Sequence, residues 1–265
     1  ARLVSRITVQ PAAAAVIVSC PRRSMTDAAS TVYPAVRPAA APPGKVTVSS
    51  VVQARLLPGA LTAAAVVVGG ISGEYGEPNN VLVRGVGIGC TTATWDCHSS
   101  GVNVVFSDCL SYGSAGPGFM LRGRGTIVSG GLSSGDNRGF DIYENGHGAH
   151  VTGLRVRDAV AHGGRVYQGV DNVLIEGCDF DGTGLSAIRF SGSGSFTAPR
   201  IIRNTFRSIG ELGTSGDRSA IVVTGTGAVL DGRFHDNLLE DSGTAEFFFD
   251  AETAACTGTA CYDND

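Results

Sequence analysis

The sequence predicts an all-β protein, a right-handed single-stranded parallel β-helix of about seven coils, on three observations. Two columns of apolar residues recur at a near-constant period, a third short strand follows each glycine-rich turn, and no helical period separates them. The 38 glycines against 10 prolines fit many short strands joined by tight turns, because glycine reaches positive φ without strain.

The first apolar column falls at Val83, Val105, Ile127, Val151, Ile175, Ile201 and Phe234. The second falls at Ile88, Leu110, Leu132, Val156, Phe180, Phe206 and Leu239, and successive spacings in the first widen from 22 to 33 residues. The third strand carries Phe119 and Leu121, Phe140 and Ile142, Val166, Ile188 and Phe190, Ile221 and Val223, then Phe247 and Phe249. Most of these pairs are two apart, as one buried face of a strand requires. Turns such as Gly113–Gly118, Gly182–Gly184 and Gly210–Gly216 close each coil, so residues 79–250 form the rod.

Residues 1–78 are rich in Ala, Val and Pro and are expected to form a cap or irregular first coils, with Gly44–Val52 and Ala60–Gly70 as the strand-forming stretches. A cap is expected because an open solenoid end exposes core and unpaired strand. Residues 251–265 would close the far end or lead into a further domain. Arg2 and Arg6, then Ile7 to Ser19 and Cys20, loosely imitate an export signal, but Gln10 and Pro11 interrupt it, and an ordinary strand-forming segment fits better. The lack of an initiating Met points to a processed product or a piece of something longer.

A hydrophobic content of 43% with 17% charged residues allows a large core and excludes a disordered chain. A net charge of -4 without a dense Lys/Arg run argues against nucleic acid and favours neutral or weakly charged partners. No stretch approaches the roughly 20 apolar residues that span a bilayer, so no membrane insertion is expected. Among the seven cysteines, Cys90 with Cys97 and Cys256 with Cys261 are close enough to form small loops, whereas Cys109 and Cys178 fall in the repeated strands as buried thiols.

Stacked coils place equivalent residues about 4.8 Å apart, so outer ladders follow from the same alignment. The column Ser111, Ser133, Arg157, Asp181, Arg207, Glu240 alternates in sign over its last four members, and Arg155 lies beside Asp179. Opposite charges on neighbouring strands stabilise, so these are structural ladders. No cofactor is expected, although Asp179 and Asp181 with neighbouring carbonyls supply oxygens that a calcium ion could take.

The repeats of Asn79–Asp250, seen in Val102–Leu110, His150–His162 and Asn172–Asp181, resemble the right-handed parallel β-helix superfamily of pectate lyases, polygalacturonases, mannuronan C5-epimerases and bacteriophage tailspikes. Gly146–His147–Gly148 is similar to the Gly-His-Gly motif of polygalacturonases, but the paired-aspartate and Arg-x-Lys motifs of that family are missing. Gly139, Phe140 and Asp141 match the core of the epimerases' catalytic stretch, with Arg138 and Tyr143 where that family has its catalytic Tyr and His.

The most polar convergence expected on the third-strand side comprises Asp136, Asp141, Glu144, His147, His150, Arg165, Tyr167 and Arg189. Asp141, Glu144 and His147 are the catalytic candidates; Asp136, Arg165, Tyr167 and Arg189 are the substrate-binding ones. A carboxylate pair could hydrolyse a sugar chain. A lyase would instead use Tyr167 or His147 as base and Arg165 or Arg189 to stabilise an enolate. The plainer alternative is that all are solvated outer residues. His162 and His235 are expected at the surface or in turns, and Trp95 covers the Cys90–Cys97 loop or serves as a sugar platform. The resemblance implies a tailspike-like or tail-fibre-like virion protein, a homotrimer contacting other virion proteins, that recognises and could depolymerise a bacterial surface glycan. A secreted polysaccharide lyase, glycoside hydrolase or epimerase is the second reading, and a purely structural solenoid the third.

Overall fold

The computed structural model describes residues 16–17, 46–49, 66–68, 81–143, 145–210, 212, 218–240, 249–251 and 256–265. All regular elements among them are strands, stacked as a parallel β-solenoid of about seven turns. Each of the seven coils between Val81 and Ala251 contributes one strand to each of three sheets. The first sheet runs from Val46–Ser49 and Val81–Arg84 through Val105–Ser107, Ile127–Ser129 and His150–Thr152 to Ala260–Tyr262. The second begins at Val86–Ile88 and ends at Leu238–Leu239, and the third runs from Val66–Val68 and Trp95–Cys97 to Phe249–Ala251. Val16–Ile17 adds to the third sheet antiparallel, against Val66–Val68. The later coils gain a corner strand, Phe196–Thr197, Val229–Leu230 and Cys256–Thr257. Of the export-like segment only Val16–Ile17 is described, as a strand; Cys20 and the third-strand position Phe247 lie outside the described residues.

The interior is held by aromatic rings in successive coils. Phe140, Phe180 and Phe206 form one buried row, with centroids 6.3 and 5.3 Å apart, and Phe190, Phe234 and Phe249 form another. Trp95, expected to cover the Cys90–Cys97 loop or to serve as a sugar platform, is wholly buried against Phe106 and donates its indole N–H to the Leu110 carbonyl. Gly164 makes room for this packing, since a Cβ there would lie 2.1 Å from Cζ of Phe140.

Register in the first coils differs from the sequence expectation by one residue. The buried first column runs Val83, Phe106, Val128, Val151, so Val105 and Ile127 point outward. In the second sheet Ser111 and Ser133, not Leu110 and Leu132, align with Val156, and Gly87 rather than Ile88 aligns with Ser111. Ser111 and Ser133 also leave the charge ladder for the interior; its outer positions there are Tyr112 and Ser134. The cause is a buried polar network. The Ser111 hydroxyl donates to Thr94 at 2.7 Å, Thr94 meets Ser114 at 2.5 Å, and Asp136 accepts from the Ser114 N–H and the Ser133 hydroxyl. With these groups satisfying one another inside, the leucines are displaced outward.

At the corner between the first and second sheets, the chain turns through a left-handed residue in every coil, from Asp108 (φ 52°) and Gly130 (φ 67°) to Asp263 (φ 48°). The next residue points inward. In the last coils it is asparagine, and the Asn237 side chain accepts from both the N–H and Nδ2 of Asn204 at 3.0 Å. In earlier coils the column holds Cys109 and Cys178, whose thiols donate to the carbonyls of Val83 and Val151. Burial pushes both thiols up to about 12. Cys97, Cys256 and Cys261 are free thiols, so neither of the two short cysteine loops is closed by a disulfide.

Candidate functional site

The third sheet repeats a triplet in which two inward residues flank an outward one. Trp95–Asp96–Cys97, Phe119–Met120–Leu121, Phe140–Asp141–Ile142 and Ile188–Arg189–Phe190 all follow it. Their middle residues stack in register with Arg165, giving an outer column Asp96, Met120, Asp141, Arg165, Arg189. At about 4.8 Å per step, this column places five side chains along roughly 20 Å of the rod.

Arginines dominate the column's surroundings. Arg122 grips Asp96 through Nε at 3.1 Å and Nη2 at 2.5 Å. Its guanidinium lies 6.0 Å from the Tyr143 ring, whose hydroxyl donates to the Met120 sulfur. Asp141 is only 1% exposed because two guanidiniums cover it. Arg138 donates Nε at 2.8 Å, and Arg165 donates Nε at 3.2 Å and Nη2 at 2.9 Å. Arg165 also lies over Tyr167, 5.0 Å from the ring centroid.

Arg189 donates from Nε to the Thr224 hydroxyl at 3.2 Å and faces Nε2 of His162 at 3.4 Å. Since a guanidinium only donates, Nε2 accepts, and Nδ1 of His162 carries the proton and donates to the Ser186 hydroxyl at 2.9 Å. His162 is 6% exposed, so the expectation of a surface or turn histidine is corrected. Burial first, then the charges of Arg189, Arg138 and Arg165, pull its imidazole down to about 3, and the ring is neutral at ordinary pH.

The structure brings Asp141, Arg165, Tyr167 and Arg189 together on this face. Asp136 is not with them: it is fully buried in the interior serine network, where desolvation raises its carboxyl above the usual range, and it cannot meet a substrate. His147 lies in the corner between the third and first sheets, where Nδ1 accepts from the Asp171 N–H at 3.1 Å and lies 3.5 Å from the Asp171 carboxylate. His150 points out from the first sheet, on a different side of the rod. Glu144 lies outside the described residues.

The oxygens considered for calcium are engaged by arginines. Arg157 and Arg207 both bond to the Asp179 carboxylate, and Arg157 is 3.9 Å from Asp181, so this column is an ion-pair ladder. Among the described residues no cluster of three or more His, Cys, Asp or Glu is arranged to hold a metal ion.

Asp96, Arg122, Arg138, Tyr143 and His162 are parts of the face that the sequence reasoning did not assign. The apolar–X–apolar triplet at Trp95–Cys97 would have disclosed Asp96. The burial of His162 has no local sequence signal. Chemically the face offers planar donors, two tyrosine rings and two carboxylates already held by guanidiniums. That set suits oxygen-rich or anionic groups; among the described residues it does not present the pair of available carboxylates that acid–base hydrolysis of a glycoside uses.

No family model matches the chain. A stretch of 54 residues, 20% of the chain, is 39% identical to a capsule K1-specific depolymerase of Klebsiella phage K64-1 and spans 6% of that protein's length. Among solved structures, the catalytic unit of a thermostable GH87 α-1,3-glucanase from Streptomyces thermodiastaticus strain HF3-3 aligns over 70% of this chain and 44% of its own, at 10% identity and a TM-score of 0.29. Three stacked parallel sheets make the chain a parallel β-helix in fold.

Proposed function

We propose that the chain is the glycan-recognising β-helix of a bacteriophage tailspike-like or tail-fibre-like virion protein, and that it binds a bacterial surface polysaccharide along the outer face of its third sheet. The carrying observation is the column from Asp96 to Arg189, flanked by Tyr143 and Tyr167. Guanidinium forks and aromatic rings spread along a rigid axis suit an extended sugar polymer, because successive coils hold their side chains at a fixed interval. The short similarity to a phage capsule depolymerase supports the same reading.

A homotrimer with further virion contacts is part of the proposal. It is supported by the outward, half-buried Val105, Ile127, Leu110 and Leu132 on the first two sheets, an apolar stripe that a neighbouring rod would cover. If the face also cleaves its ligand, elimination suits it better than hydrolysis: Tyr167 is the proton-transfer group beside the Arg165 cation, whereas the carboxylates of Asp96 and Asp141 are occupied.

The test has two parts. Affinity electrophoresis against purified capsular polysaccharides should show retardation, and unsaturated products absorbing in the ultraviolet would reveal elimination. Mass measurement in solution should give a trimer. A monomer that releases sugars would favour a secreted enzyme instead, and a protein that no polysaccharide retards would be a structural solenoid.

A further inference from the structure

Two cysteines flank one corner of the last described coil. Cys256 pairs with Val229 and Cys261 with Phe234. Paired residues of a parallel ladder point to the same side of their sheet. Val229 and Phe234 are wholly buried, so both thiols point inward, and they are exposed only because no further described coil stacks beneath them.

The corner between them copies the one above it residue for residue. Gly258 is left-handed (φ 65°) beneath left-handed Asp231 (φ 54°). Thr259 lies under Gly232, donating its hydroxyl to the Val229 carbonyl at 3.2 Å and accepting from the Gly232 N–H at 3.4 Å. In the upper corner the flanking side chains converge, since a Cβ on Gly232 would lie 3.0 Å from Cγ1 of Val229 and 3.3 Å from Cζ of Phe234. The same turn brings the side chains of Cys256 and Cys261 to the inner edge of one corner. Burial raises both thiols, and the charge of Cys256 raises Cys261 further, as it does between sulfurs close together. Cys90, Cys97, Cys109 and Cys178 are enclosed instead, so Cys256 and Cys261 are the exposed cysteines among the described residues.

We infer that Cys256 and Cys261 are an oxidation site, a thiol pair that closes to a disulfide on meeting a small disulfide oxidant and clips the last coil onto the rod. With glutathione disulfide, one cysteine thiolate attacks the oxidant, its S–S bond breaks, one glutathione leaves as thiolate, and a mixed disulfide forms. The second cysteine thiolate then attacks the protein sulfur and expels the other glutathione. Two protein thiols are oxidised, one glutathione disulfide is reduced to two thiols, and the cysteine protons end on these. The bond replaces two exposed thiols by an apolar bridge beneath Val229 and Phe234. It also ties the strand Ala260–Tyr262 to the corner strand Cys256–Thr257, at the end where a solenoid frays. Neither cysteine lies on the third-sheet face, so this chemistry is independent of the glycan binding proposed above.

The full chain, purified reduced, is incubated with glutathione disulfide at about pH 8, where thiolate is accessible, and the remaining thiols are alkylated before tryptic mapping. The peptide from Phe234 to Asp265 should take up no alkylating agent and weigh two hydrogens less than its reduced form. Cys90, Cys97, Cys109 and Cys178 should stay reduced until the chain is unfolded. The Ala260 amide, bonded to the Gly232 carbonyl at 3.0 Å, should exchange with solvent at least tenfold more slowly in the oxidised chain. Cys256→Ser and Cys261→Ser should each stop at a glutathione adduct on the remaining cysteine and show no such slowing. Alkylation of both cysteines after exposure to the oxidant, a glutathione adduct that persists on the wild-type chain, or a disulfide joining two chains would overturn the pairing. Unchanged exchange at Ala260 in the closed form would overturn the clip.

Discussion

Asp141 gives the sharpest test of how the face is built. Asp141→Ala removes the carboxylate on which Arg138 and Arg165 converge and leaves two guanidiniums facing each other. Breaking a fully buried ion pair in this way costs about 3–5 kcal/mol. The arginine side chains are 19% and 29% exposed, so water recovers part of that loss. A cost of about 2–3 kcal/mol follows once solvent screening is allowed for. For a chain of this size that corresponds to a fall of about 5–10 °C in melting temperature. Asp141→Asn keeps an acceptor and the side-chain volume and should lose about half as much. The assay is urea unfolding followed by the fluorescence of Trp95, the single, buried tryptophan. A double-mutant cycle with Arg165→Ala should return a coupling of about 1 kcal/mol or more. An Asp141→Ala variant as stable as wild type, with no coupling to Arg165, would refute the claim that this carboxylate is a buried anchor for the arginines.

The remaining predictions concern titration and packing. His162 has a folded value of about 3 against an unfolded one near 6.5, so its contribution to stability is present in full above about pH 6.5 and is lost as pH falls toward 3. By pH 5 the loss should reach about 2 kcal/mol, and His162→Gln should flatten that part of the stability profile. Asp136 behaves oppositely: its carboxyl is raised by burial, so wild-type stability falls as pH rises through the folded value. Asp136→Asn, which can still accept from the Ser114 N–H and donate to the Ser133 hydroxyl, should therefore gain stability relative to wild type between pH 4 and pH 7 in the same unfolding assay. Phe180→Ala opens a cavity between Phe140 and Phe206 and should cost about 3–5 kcal/mol, read as a drop in the urea midpoint.

Much of the fold was legible because the solenoid writes its register into the sequence. From Val151 onward the two apolar columns coincide with the buried positions, since Val156, Phe180 and Phe206 are apolar and face inward as alternation requires. In the earlier coils the pattern misleads. Ser111, Ser133 and Asp136 face inward and pair with one another, so leucines at 110 and 132 mark the outer surface, and a rule that places apolar residues inside shifts the strand by one. The site followed the same division. Asp141, Arg165 and Arg189 were legible as the middle residues of triplets, whereas the burial of Asp136 and His162 depends on what neighbouring coils supply. Ser133 and Ser114 shelter the one, Ser186 and Arg189 the other, and each pair of partners includes a residue more than twenty positions away.

The central claim, that ligand lies along the third sheet, is tested most directly by hydroxyl-radical footprinting of the protein with a polysaccharide that retards it in native gels. Met120, Tyr143 and Tyr167 on that face should be protected, while Tyr112 on the second sheet and the 44%-exposed Tyr262 on the first should oxidise as in the free protein. Protection of Tyr112 or Tyr262 with Tyr167 unchanged would contradict it.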